Sequence, residues 1–375
     1  MTTILIIGIF EALFLGVLVL TKRQKAVPDY FLAVLLFIMG FTIVASYIEQ
    51  YNIANNYPHP FFIHVSPPLI FLHGPLLWFY IKSFTSVKFE FKPHYLLHFL
   101  PFLLAFSLMW LSTYSRPAET RIAEMQSENF KANPIYPVMV TGIALFTQGY
   151  FIWGLLLIRR YRKKIRNYYS KIENIDLSWL KFILVAAIIA YAINSLLFLG
   201  DYFLDLLNFQ VLQLSTFIVG SLFILTMGFY GLRQTNVFYS GNQPGINVEK
   251  QAHAVNQQPL QTKDEAFVHQ LLEYMNVEKP YLKPDLTLKE LSHQLNVTPD
   301  YFSGILNRNL HMRFFDFVNQ FRVEAFKDAC QDKANQNFSI IAIAYDCGFN
   351  SKATFNRVFK NMTGFTPGAY QKKAQ

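Results

Sequence analysis

The sequence predicts an all-α protein, a seven-helix transmembrane bundle followed by a cytoplasmic double helix-turn-helix domain. Three observations predict it. Of 375 residues, 53% are hydrophobic and 17% aromatic, too apolar for one water-soluble domain and too long for one core. The apolar residues arrive in blocks of membrane-spanning length up to Leu232, after which the chain turns polar and helix-periodic. In that polar part, a helix pair recurs at a fixed offset. The expected boundaries are 1–233 for the membrane domain, 234–262 for a flexible linker and 263–375 for the soluble domain.

Seven runs have spanning length: about Thr3 to Leu20, Tyr30 to Ile48, Phe61 to Phe84, Tyr95 to Tyr114, Ile135 to Ile158, Trp179 to Leu199 and Gln210 to Leu232. An odd number puts the two ends on opposite sides. Lys and Arg number 13 in one alternating set of connections (Lys22 to Lys25, Lys82 to Lys92, Arg159 to Lys171) and 3 in the other. The basic set belongs in the cytoplasm. The expectation is therefore a multi-pass protein of the cell (inner) membrane, N-terminus outside and C-terminal domain cytoplasmic. No secretory signal is read at the first run, which has no basic residue before it.

Within the first run, Glu11 is a costly charge; it pairs within the bundle, is protonated, or senses a signal, with pairing the plainer reading. Pro67, Pro68 and Pro75 interrupt the third run, predicting a packed kink ahead of a cavity lining. His94 and His98 have the spacing of one helical face, but with no third ligand nearby they read as interfacial histidines rather than a metal site. The basic run Arg159 to Lys171 suits anionic lipid head groups or nucleic acid, and because it follows a span directly, topology and lipid contact are its default explanation. Gln234 to Thr262 carries no apolar face and reads as a tether with a reach of roughly 30 Å. Cys330 and Cys347 stand alone, without a disulfide framework, and read as reduced core thiols.

The soluble part begins with a capping box, Thr287 with Glu290, and a buried stripe of Leu288, Leu291 and Leu295. Asn296 and Val297 turn the chain. Thr298 and Pro299 then start a second helix with Phe302, Ile305 and Leu306 inward. The pattern repeats from Ser339, with Ile340, Ile343 and Cys347 inward, Gly348 in the turn, Ser351 as the next cap, and Phe355, Val358 and Phe359 buried. Leu288 to Ile340, Leu291 to Ile343 and Leu295 to Cys347 are each 52 apart, and Thr298 to Ser351, Phe302 to Phe355 and Leu306 to Phe359 each 53, so the second turn has one extra residue. A helix carrying Phe314, Val318, Phe321 and Ala325 joins the two units. Two such second helices can enter successive major-groove segments roughly 34 Å apart. Lys352, Asn356 and Lys360 share one outer stripe, with Ala353 and Arg357 beside it.

Ile343-Ala344, Gly348-Phe349, Phe359-Lys360 and Gly364-Phe365-Thr366-Pro367 carry a resemblance: from about Asp264 to Lys373 the chain is similar to the DNA-binding domain of the AraC/XylS family of transcription regulators. The resemblance implies sequence-specific binding of double-stranded promoter DNA, with RNA polymerase and a second copy of the chain as further candidate partners. It places base-reading positions at Asp300, Ser303, Gly304 and Asn307 in the first unit and at Lys352, Ala353, Asn356 and Arg357 in the second. Arg357 and Lys352 suit a guanine edge, and Asn356 an adenine or a phosphate. Lys360 and Arg308 suit phosphates. Two departures stand out: His311 occupies a position where relatives usually have Gly, and Arg313 replaces a small polar residue. Charge favours the second unit for phosphate binding, because Cys347 to Gln375 holds five basic and no acidic residues, against nine basic and twelve acidic in Lys263 to Asp346.

Gly74 to Tyr80, GPLLWFY, resembles the multipass module found ahead of some AraC-type regulators. No phosphate loop, zinc spacing or nucleophile-base set is read, so no cofactor and no catalysis are expected. The expected function is a one-component regulator in the lipid bilayer whose membrane part answers an unknown signal ligand. The alternative is a membrane receptor or carrier whose cytoplasmic domain binds a partner rather than DNA.

Overall fold

The structure, a computed structural model, describes residues 2–86, 88–126, 134–173, 175–204, 209–233, 261–335 and 337–374. The expected tether, Gln234 to Thr262, lies almost wholly outside these residues. The described chain is helical, and no strand is assigned in it.

Six stretches are long and apolar enough to cross a membrane among the described residues: α1 (Thr2–Leu20), α2 (Val27–Ala54), the continuous run Pro93–Tyr114, α7 (Ile135–Ile165), α8 (Ser178–Leu204) and α9 (Phe209–Arg233). Here α3 is Ser66–Ile70, α4 His73–Thr85, α5 Leu100–Met109 and α6 Ala118–Gln126. α1 packs on α2 and α9, and α2 also packs on α4. Asp29 anchors the start of α2: it accepts from the Ala26 amide at 2.8 Å and pairs with Lys22 at 2.7 Å. Lys22 also donates to the Gly231 carbonyl at 2.6 Å, closing the last turn of α9, where a cation offsets the exposed carbonyl dipoles.

The third expected span is corrected. Phe61 to Phe84 is not one helix but α3 and α4, the latter only 13 residues long. The reason is local. Pro75 has no amide hydrogen to give the Phe71 carbonyl, and the amides of Phe71 and Leu72 bond instead three residues back, to Pro68 at 3.1 Å and Leu69 at 3.0 Å. The expectation of a kink ahead of a cavity is corrected too, because Ser66, Pro67, Ile70 and His73 line a cavity in the bundle.

His94 and His98 fall on a 3₁₀ helix, Pro93–Phe99, where a step of four turns roughly 120° and no longer puts two rings on one face. His98 stacks on Trp78 with ring centres 4.2 Å apart and meets the Tyr150 hydroxyl at 2.9 Å. Glu11 has the partner that the sequence left unnamed. The Ser221 hydroxyl on α9 donates to it at 2.9 Å.

The chain divides into two compact units, and the division is not a single cut. Residues 160–176, between α7 and α8, group with the C-terminal residues, whereas 1–159 and 177–239 form the other unit.

Candidate nucleic-acid interface

The C-terminal unit is built from α10 (Gln261–Val277), α11 (Leu288–Gln294), α12 (Pro299–Arg308), α13 (Phe314–Gln331), α14 (Ile340–Asp346), α15 (Lys352–Thr363) and α16 (Pro367–Ala374). The caps act where the side chains predict. Thr287 accepts from the Glu290 amide while Glu290 answers the Thr287 amide at 3.0 Å. Thr298 accepts from the Tyr301 amide, Ser339 from Ala342 and Ser351 from Thr354. Each cap fixes the direction of its helix start, and so of the side chains in the first two turns.

The two turns have the same design with different residues. Asn296 takes the left-handed conformation at φ 55° and Gly348 at φ 89°. Asn tolerates it in the first turn. In the second, a side chain at Gly348 has no room, since a β-carbon would lie 2.3 Å from the Tyr281 carbonyl oxygen. His311 does adopt the left-handed conformation, at φ 52°, without the relief that glycine would provide.

Below each of α12 and α15 is an aromatic floor. Phe302, Ile305 and Leu306 are buried under α12, in one cluster with Phe314, Phe317 and Leu271. Phe355 and Phe359 are fully buried under α15, and Phe326 of α13 packs edge-on against both at 4.7 and 5.3 Å. Each such ring contributes about 2–3 kcal/mol by leaving water. That holds the opposite face of α15 in place.

On that face Lys352, Ala353, Asn356, Arg357 and Lys360 are all exposed, and neither the lysines nor Arg357 forms an ion pair among the described residues. The structure thus gathers the five second-unit positions on one open surface. The first unit differs. Asp300, Asn307 and Arg308 are exposed, while Ser303 and Gly304 are half-buried. Asn307 donates back to the Ser303 carbonyl at 2.7 Å. Arg308, expected on a phosphate, folds over Gly304 and reaches Asp264 at 3.5 Å. Asp264 also accepts from the Tyr301 hydroxyl at 3.0 Å.

Sequence reading missed two features. The first is Arg322 on α13, 2% exposed, whose guanidinium donates to the carbonyls of Tyr281 at 2.8 Å and Lys283 at 2.7 Å and reaches the Ser170 hydroxyl at 3.3 Å. Burial pulls its pKa down to about 10, so it stays charged at neutral pH. The periodicity of α13 marked apolar positions and gave no reason to look for a buried cation.

The second is the basic run itself, read as lipid-facing and here corrected in part. Residues 166–170 form a strap on the first unit. Leu288 gives its amide to the Tyr168 carbonyl at 2.9 Å, Ser170 gives its amide to Leu286 at 3.3 Å, and Tyr169 and Thr287 form an antiparallel bridge. Phe315 gives its amide to the Arg166 carbonyl at 2.9 Å, and the Arg166 side chain pairs with Asp316 and lies over the Phe315 ring. The strap carbonyls therefore occupy first-turn amides of both α11 and α13, groups that lack partners inside their own helices. Burial, and then the charge of Asp300, raise the Tyr168 phenol above its ordinary pKa, so the strap also lies beside the start of α12. Tyr168, Tyr169 and Ser170 were the available signal, a short uncharged stretch within the basic run.

Two capped helix pairs, a shared central helix and an exposed basic face on α15 define the C-terminal unit as a double helix-turn-helix domain. Residues 291–373 match a family model described as a helix-turn-helix domain. The same part of the chain is similar to the uncharacterized HTH-type transcriptional regulator YpdC of Escherichia coli (strain K12), 31% identical over 99 residues, which is 26% of this chain and 33% of that protein. It is similar to the uncharacterized HTH-type transcriptional regulators YtdP of Bacillus subtilis (strain 168), 28% identical over 24% of this chain and 11% of that protein, and SACOL0084 of Staphylococcus aureus (strain COL), 32% identical over 28% and 13%. The chain thus spans a third or less of these relatives' length. No solved structure matches it.

Proposed function

We propose that the chain is a membrane-embedded one-component transcription regulator, which binds specific promoter DNA through α12 and α15 under control of its membrane helices. The observation that carries DNA reading is α15: five exposed positions, three of them basic, on a helix immobilised by buried rings. The 13 to 3 charge asymmetry of the connections supports a cytoplasmic placement of this domain. The strap supports control. It is bracketed by α7, which ends at Ile165, and α8, which begins at Ser178, so a shift in either helix pulls on residues that close α11 and α13.

DNase footprinting of the full chain in lipid nanodiscs, over upstream regions of its own genome, tests the reading. A protected site that survives moderate salt is the expected outcome. Uniform, salt-labile binding without sequence preference would mean that the domain does not read DNA.

A further inference from the structure

We infer that the cavity in the membrane unit is a binding site for a small apolar amine, with Glu49 as the counter-ion of its ammonium group. This deepens the sensor reading above by naming the ligand's chemistry. The cavity has a volume of about 270 Å³ and lies among α2, α3, α7, α8 and α9. Its walls are mainly aliphatic and aromatic, including Met39, Ile43, Ile143 and Phe217. Such walls select an apolar body.

The charged groups select the head. Among the described lining residues Glu49 is the sole acid, and none is a Lys or Arg. A carboxylate in an apolar wall is costly unless a cation stands beside it. Here its partner is the His64 ring at 3.1 Å, which carries a charge only when protonated. An ammonium keeps its charge across the neutral range, whereas a carboxylate ligand would meet Glu49 with only imidazoles beside it among the described lining residues. Tyr191 also lines the cavity, and an aromatic ring there suits a cation.

Some of the other polar lining groups are already committed. Thr42 donates to the Ile38 carbonyl at 2.8 Å and meets the His73 ring at 3.1 Å, and Asn194 donates to Thr216 at 2.8 Å. His64 sits on a short connection in the left-handed conformation, φ 60°, and its carbonyl accepts from the Tyr114 hydroxyl at 2.6 Å. Glu49 lies roughly six turns along α2 from Val27, at the end remote from Lys22, Arg23 and Lys25. In the proposed orientation the amine arrives from outside the cell.

The test uses the full chain in nanodiscs with three probes of equal chain length, hexylamine, hexanol and hexanoate, and reads thermal unfolding of the membrane helices by circular dichroism. Hexylamine should raise the midpoint saturably, by about 3 °C, and the other two by less than about 1 °C. In Glu49→Gln, checked as helical by its circular dichroism before heating, the hexylamine shift should vanish. Equal shifts from amine and alcohol in the unmutated chain, a preference for hexanoate, or an undiminished amine shift in Glu49→Gln would each overturn the proposal. The first two comparisons need no variant. No DNA enters the measurement, so an amine shift without any effect on DNA binding would sink the sensor reading and leave the site standing.

Discussion

Arg357 and Gly348 show how differently two neighbouring residues serve one helix pair. Arg357 is exposed, with no ion pair among the described residues to replace in the unbound state, so its truncation should leave the fold intact and act on recognition. Arg357→Ala should cost about 1–3 kcal/mol at one base pair and relax preference there, as read by binding to a panel of single-base variants of the footprinted site. Lys360→Ala should instead weaken binding to all sequences alike and lower the salt slope by about one. Gly348 is the opposite case: the left-handed backbone and the Tyr281 carbonyl 2.3 Å from any β-carbon make Gly348→Ala destabilising by about 2 kcal/mol or more. Hydrogen exchange of α14 and α15 would show it. Cys347 was legible as a core thiol, and its burial, with the charge of Asp346, pushes its pKa up to about 12. It should resist maleimide until the domain unfolds.

At the scale of elements, capping residues made α11, α12, α14 and α15 legible in the sequence, because a cap and its recipient amide are three residues apart and need no tertiary knowledge. The strap was not legible. Its bonds join residues more than a hundred positions apart, such as Ser170 and Leu286, and Arg166 and Asp316, and nothing local marks them. If the strap restrains the domain by occupying helix starts that phosphates favour, breaking it should tighten DNA binding. Arg166→Asp in the full chain should raise affinity for the footprinted site about tenfold, and adding Asp316→Arg should restore the original value. Unchanged affinity in Arg166→Asp would show that the strap does not compete with DNA. The broken third span was half legible: the prolines announced an interruption, but a kink and a cavity wall look alike until the neighbouring helices are in place.

For the whole molecule, the proposed topology makes a demand independent of any base contact. Protease added to the outside of sealed cells should leave residues 263–375 intact and should cut them once the membrane is opened; cleavage in sealed cells would place the domain where genomic DNA is absent. Residues 160–176 group with the C-terminal residues rather than with the membrane helices that flank them in sequence.

By itself the sequence determined the class of each part, because spanning length, charge asymmetry, caps and the repeat at offsets of 52 and 53 are written in local composition and spacing. Only the tertiary structure decided which polar groups meet: Glu11 with Ser221, Glu49 with His64 at a cavity, Arg322 beneath the Gly348 turn, and the strap across α11 and α13. Such pairings depend on how distant helices pack, and periodicity, which reports each helix's own faces, carries no information about which partner a face will find.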